Sequence, residues 1–86
     1  MSSPLNVRVT VLDAWDAIAL ELAASTTIGD VKRHALTAAR VVADPTAFHV
    51  KFRGVELPDE SRSLAEVSFP NGGALIVLRR RRRAVQ

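Results

Sequence analysis

Residues 26–42 read TTIGDVKRHALTAARVV, and this stretch decides the fold because it alone carries sustained helical periodicity. At about 100° per residue, Ile28, Val31, Ala35, Ala38, Ala39 and Val42 share one face, while Arg33, Thr37 and Arg40 lie opposite. One face is therefore predicted buried and the other wet. Thr26 or Thr27 offers a side-chain oxygen to the first unpaired N–H groups, and Asp30 places negative charge in the positive first turn. The helix is predicted to end near Ala43, since the Asp44-Pro45 pair pushes the preceding backbone out of helical geometry. Ala35, Ala38 and Ala39 supply little volume, so whatever covers them must come close and bring its own bulk.

The flanking segments supply that bulk. Residues 5–12 alternate, with Val7, Val9 and Val11 on one side and Asn6, Arg8 and Thr10 on the other, which predicts a half-buried strand. Residues 13–16 turn the chain, and residues 17–22 alternate again with Ile18, Leu20 and Leu22 inward, giving an antiparallel hairpin. After the helix, residues 48–52 place Phe48, Val50 and Phe52 inward and His49 and Lys51 outward. Gly54 marks a tight turn before a short strand over residues 55–57. Ser63-Leu64-Ala65-Glu66 has the form of a capping box and predicts one helical turn with Leu64 and Val67 tucked under. Asn71-Gly72-Gly73 is a turn. Residues 74–78 are apolar throughout, as suits a central strand with a neighbour on each side.

Composition narrows the function. Eighty-six residues make one domain, which buries roughly 60–65% of its unfolded surface and leaves little room for a large catalytic cavity. The absence of cysteine removes disulfides and thiolate chemistry and is compatible with a reducing cytosol. The start of the chain lacks the pattern of a signal peptide. No apolar run approaches the roughly 20 residues that span a membrane, so a cytoplasmic, soluble protein is expected. The net charge of +3 is unevenly placed: Arg79, Arg80, Arg81, Arg82 and Arg83 leave seven basic residues against nine acidic ones in the remainder, a balance of −2.

The order strand, strand, helix, strand, short strand, helical turn, strand resembles ubiquitin over nearly the whole chain. The residues carrying the resemblance are Thr27-Ile28-x-x-Val31-Lys32, Phe52-Arg53-Gly54-x-x-Leu57-x-Asp59, Leu64, and Leu75-Ile76-Val77-Leu78-Arg79. The resemblance implies an α+β fold of the β-grasp type, a mixed sheet of four to five strands packed on one main helix, with the first and last strands parallel in the middle. It assigns residues 1–78 to that domain and residues 79–86 to an arginine-rich tail. Two departures bear on function. Ubiquitin and the related sulfur carriers end in a free diglycine for activation, whereas this sequence ends Arg82-Arg83-Ala84-Val85-Gln86, so activation of the terminus is not expected without processing. The family's apolar binding patch centres on an isoleucine where this sequence has Lys51, so partners of that patch are expected to bind poorly.

Candidate binding residues follow from the outward positions. Arg8, His49 and Lys51, with Arg79, Arg80 and Arg81 entering the same sheet, form a basic strip beside Ile76 or Leu78, and Arg53 belongs to the following turn. The alternative is an ordinary solvated face. Trp15, in the first turn, is either an exposed anchor or folded over the sheet edge. The five arginines suit an acidic protein surface, nucleic-acid phosphates or anionic lipid headgroups; on phosphates they give a salt slope of about −3.5 to −4.5. The alternative is a solvated tail. His34 and His49 lie on different elements with no converging ligands, so no metal or cofactor is expected. No nucleophile, base and acid assemble, so no catalytic residue is assigned.

The function expected is a non-catalytic ubiquitin-like interaction module, a small subunit or adaptor whose partner has an acidic surface. A more distant similarity to the ubiquitin-like accessory proteins of type VII secretion is a narrower form of the same reading. The alternatives are a binder of nucleic acid or anionic surfaces through the arginines, and a processed modifier.

Overall fold

The computed structural model describes residues 4–42 and 44–79. Five strands form one sheet: β1 (Leu5–Val11), β2 (Asp16–Leu22), β3 (Phe48–Phe52), β4 (Val55–Glu56) and β5 (Gly73–Arg79), with one α-helix, α1 (Ile28–Ala38), packed across one face. The sheet order is β2-β1-β5-β3-β4. β1 pairs antiparallel with β2 from Leu5↔Leu22 to Val11↔Asp16, and parallel with β5 from Val7↔Gly73 to Val11↔Val77. β5 runs antiparallel to β3, with Phe48 opposite Arg79 and Lys51 opposite Ile76. The apolar run of residues 74–78 is thus central, and its parallel pairing with β1 closes the β-grasp.

Alternation places the core. Val7, Val9, Val11, Val50, Leu75 and Val77 are sealed on the helix side together with Phe48, Ile28, Val31 and Leu64. Phe48 lies with Val50 in this core and supplies the volume that Ala35 withholds. Phe69 is also buried, its ring centroid 5.1 Å from that of half-buried Phe52. Its preceding loop gives it no periodicity, so sequence pattern does not reveal it.

The helix starts as expected and stops early. Thr27 is the N-cap, its Oγ1 accepting from the Asp30 N–H at 3.2 Å. Ile28 and Gly29 N–H donate to the carbonyls of Arg62 and Glu60 at 2.8 and 2.9 Å, so the first turn is satisfied by a crossing loop. The predicted end near Ala43 is corrected to Ala38. Arg40 takes a left-handed φ of 60°, the Val41 N–H reaches the Leu36 carbonyl at 2.9 Å, and the Arg40 N–H reaches Thr37 at 3.1 Å. These two bonds are a Schellman closure, a stop that operates before Asp44-Pro45 can. Val42 therefore leaves the predicted inner face and is exposed, Ala38 is exposed as well, and Leu36 and Lys32 fill the buried stripe with Ile28, Val31 and Ala35.

The turns form from their own chemistry. Arg53 and Gly54 both take positive φ, 55° and 79°, between the paired Phe52 and Val55, a two-residue type I′ hairpin. The capping box forms reciprocally: the Ser63 N–H donates to Glu66 Oε1 at 2.8 Å and the Glu66 N–H to Ser63 Oγ at 3.1 Å. Asp44 accepts from the Thr46 N–H, and this bond first holds its carboxyl below the ordinary 3.8. Asp59 is lowered likewise, chiefly by the Ser61 hydroxyl and then by the Ser61 N–H. A carboxyl depressed in the folded state contributes stability above its unfolded pKa and loses it as pH falls through the folded value. Carboxyl-detected NMR titration is expected to give both groups midpoints below 3.8; a midpoint at or above that value removes these two bonds as the cause.

Candidate interaction surface

The side of the sheet away from α1 is uncovered. Pairing builds it row by row: Ala17, Thr10, Ile76, Lys51 and Glu56 lie across the five strands, Ala19, Arg8 and Ala74 form the next row, and Leu78 sits beside His49. Ile76 is 38% exposed at the middle of the central strand, and Ala74 is exposed beside it. The same apolar run that fills the core with Leu75 and Val77 thus puts hydrocarbon on an open face. Lys51, Arg53, Pro70, Ala74 and Ile76 line a depression of about 310 Å³ there. Arg8 lines a second one of about 490 Å³ with Asn6, Ala19 and Glu21. An apolar floor with cations at its rim suits a partner that is both apolar and acidic.

The structure gathers most of the predicted residues but not all on one face. Arg8, Lys51, Ile76, Leu78 and His49 share the outer face, and Arg53, in the β3–β4 turn, lines the depression with Lys51 and Ile76 while its guanidinium carbon lies 5.1 Å from the Phe52 ring centroid. Arg79 is a correction. Strand alternation puts it with Phe48 on the helix side, its guanidinium carbon 4.7 Å above that ring, so it does not stand beside Ile76. Arg80 and Arg81, the remaining arginines of the predicted strip, and Arg82 and Arg83 of the tail lie outside the described residues. Trp15 is 88% exposed, so it is not folded over the sheet edge. Glu56 was not anticipated: it is paired with Lys51, and its Oε2 lies 3.4 Å from His49 Nδ1, which moderates the positive strip on that side.

Other chemistry is sparse. Among the described residues no three His, Asp or Glu side chains converge, and no helix is long and apolar enough to cross a membrane. Lys32 is buried, its Nζ donating to the Phe48 carbonyl at 3.1 Å and lying 2.7 Å from Glu60 Oε1. That cluster joins helix, sheet and loop. Lys32 is spent within it, while Glu60 Oε2 is left without a hydrogen-bond partner.

No protein family description and no curated protein matches this chain in sequence. Solved structures do. A ubiquitin from Caldiarchaeum subterraneum matches with a TM-score of 0.78 at 15% identity, covering 94% of this chain and 99% of its own. The ubiquitin-like domain of an Arabidopsis thaliana protein matches at 0.77 with 17% identity, covering 99% of this chain and 87% of its own. A structure described as molecular mimicry of SUMO that promotes DNA repair matches at 0.78 with 12% identity, covering 90% and 92%. At such identities the likeness carries the fold alone: a five-stranded ubiquitin-like β-grasp with one main helix.

Proposed function

We propose that this ubiquitin-like fold acts as a non-catalytic interaction module, a small subunit or adaptor that takes an acidic and apolar segment of a protein partner on the outer face of its sheet. The observation that carries this reading is Ile76, exposed at the centre of the sheet with Ala74 beside it and Arg8, Lys51 and Arg53 around them. Burying an apolar centre gives affinity, whereas rim cations mainly set the association rate and reject like charge. The arginines at residues 79–83 add the long-range part, because they carry +5 against a balance of −2 elsewhere. A role as accessory protein of a secretion assembly is a narrower form of this reading, and docking to nucleic acid or lipid phosphates through the arginines is its rival.

Two variants separate face from tail once a partner has been captured by affinity purification. Ile76→Asp with Lys51→Glu is expected to weaken binding by tenfold or more, since about 1.4 kcal/mol is tenfold and a centre-plus-rim change exceeds it. Serine at Arg81, Arg82 and Arg83 is expected to slow association and flatten the salt dependence. Full affinity in the face variant sinks the proposal. If the tail variant alone abolishes binding, and polyphosphate competes, the phosphate-binding rival takes its place.

A further inference from the structure

The first hairpin turn displays a side chain that neither the core nor the outer face uses. Trp15 is 88% exposed, and its backbone sits at φ 51°, ψ 40°, a left-handed conformation that glycine or asparagine enters more readily than a bulky residue. Its N–H closes the turn on the Leu12 carbonyl at 3.1 Å. The backbone therefore asks for a smaller residue, and the indole gains almost no burial in return. Asp13 and Asp16 flank it in sequence, and Asp16 is exposed. The turn thus offers an aromatic face with exposed Asp16 next to it, and Asp13 adds a second acid in sequence.

Topology decides what lies within reach. β1 and β5 run parallel with Val11 beside Val77, so where β1 enters this turn, β5 has only Leu78 and Arg79 left. The turn and the departure point of the arginine run occupy the same end of the sheet, although 64 residues separate Trp15 from Arg79. Neighbouring strands lie about 4.8 Å apart, and four further residues can extend about 13 Å, which is ample. Arginine also stacks on rings elsewhere in this molecule: Arg79 stands 4.7 Å from the Phe48 centroid and Arg53 stands 5.1 Å from that of Phe52. Indole is the strongest ring partner for a guanidinium, and carboxylates accept its fork of N–H groups in pairs.

We propose that the turn Asp13-Ala14-Trp15-Asp16 is a guanidinium-binding site, and that its occupant is this chain's own arginine run at residues 80–83. Tethering through β5 presents the run at an effective concentration near the millimolar range, well above a free peptide in dilute solution. Docked, the run has part of its charge offset by two carboxylates. An acidic partner then has to displace an internal competitor, which favours strongly acidic partners over weak ones.

Trp15 is the sole tryptophan and the chain has no tyrosine, so intrinsic fluorescence reports on this site alone. An exposed cation–π contact favours the docked state about two- to fivefold. Accordingly, at low ionic strength the acrylamide quenching constant of the full chain is expected to be about half that of a variant with serine at Arg80, Arg81, Arg82 and Arg83. Asp13→Asn with Asp16→Asn is expected to raise quenching to the level of the serine variant, and about 1 M salt, where the Debye length falls to about 3 Å, is expected to erase the difference. Lysine at the four positions keeps the charge but not the planar stacking, and is expected to fall between the two. Equal quenching constants in the full chain and the serine variant at low salt overturn the proposal. Protection that disappears on dilution overturns it as well, because the occupant is then a second copy.

Discussion

Replacing Lys32 with methionine is expected to lower the unfolding free energy by about 3 kcal/mol, the lower end for stripping one partner from a buried ion pair. The side chain is 4% exposed and ties three elements: it lies on α1, donates to the Phe48 carbonyl of β3 at 3.1 Å, and pairs with Glu60 of the crossing loop at 2.7 Å. Methionine keeps most of the packing volume, so the loss isolates the charge. What remains is a carboxylate only 22% exposed, whose Oε2 already lacks a hydrogen-bond partner, and a backbone carbonyl with its donor removed. The double variant Lys32→Met, Glu60→Met removes both charges and is expected to recover at least half of the loss. Chemical denaturation of the parent and the two variants decides it. If the single variant unfolds within about 0.5 kcal/mol of the parent, the pair is not a buried charge pair in solution.

The same lysine shows what a one-dimensional reading sees and what it misses. Periodicity places charged residues outside, and Lys32 follows directly after buried Val31; its burial depends on Glu60, 28 residues away, and no helical pattern encodes that distance. The strands were legible from local pattern: Val7, Val9, Val11 and Val50 obey alternation, and the unbroken apolar run of residues 74–78 marks a central strand. The capping box at Ser63 was legible for the same reason, both partners lying within four residues. The helix end was not. Its stop signal is a left-handed arginine, a residue with no turn preference, and the visible Asp44-Pro45 signal came five residues too late. On the outer face, alternation correctly set Arg8, Lys51 and Ile76 outward, but extending it loosely to Arg79 put that residue on the wrong side. The Trp15 turn needed topology: the parallel pairing of β1 and β5 puts it at the end of the sheet where β5 finishes at Arg79, and a hairpin motif alone does not reveal that.

Phe48→Ala is expected to be the most damaging single truncation in the sheet, at about 3–5 kcal/mol. The ring is fully buried in the cluster that also holds Val31, Val50 and Leu64, so truncating it leaves a cavity that close-packed neighbours can close only in part. A domain of this size has about 5–10 kcal/mol to lose, and the variant is therefore expected to be substantially unfolded well below the parent's melting temperature. Phe48→Leu keeps much of the volume and is expected to lose about 1–1.5 kcal/mol, which makes it the usable probe of the second thing the ring does. Its face supports the guanidinium of Arg79 at 4.7 Å, the first arginine of the run and the last described residue. A double-mutant cycle of Phe48→Leu with Arg79→Ala isolates that contact from everything else the arginine touches. A coupling energy of about 0.5–1 kcal/mol is expected for a half-exposed stack of this kind. Coupling near zero means that the ring holds the core alone, and that the first arginine of the run is positioned by its strand and not by Phe48.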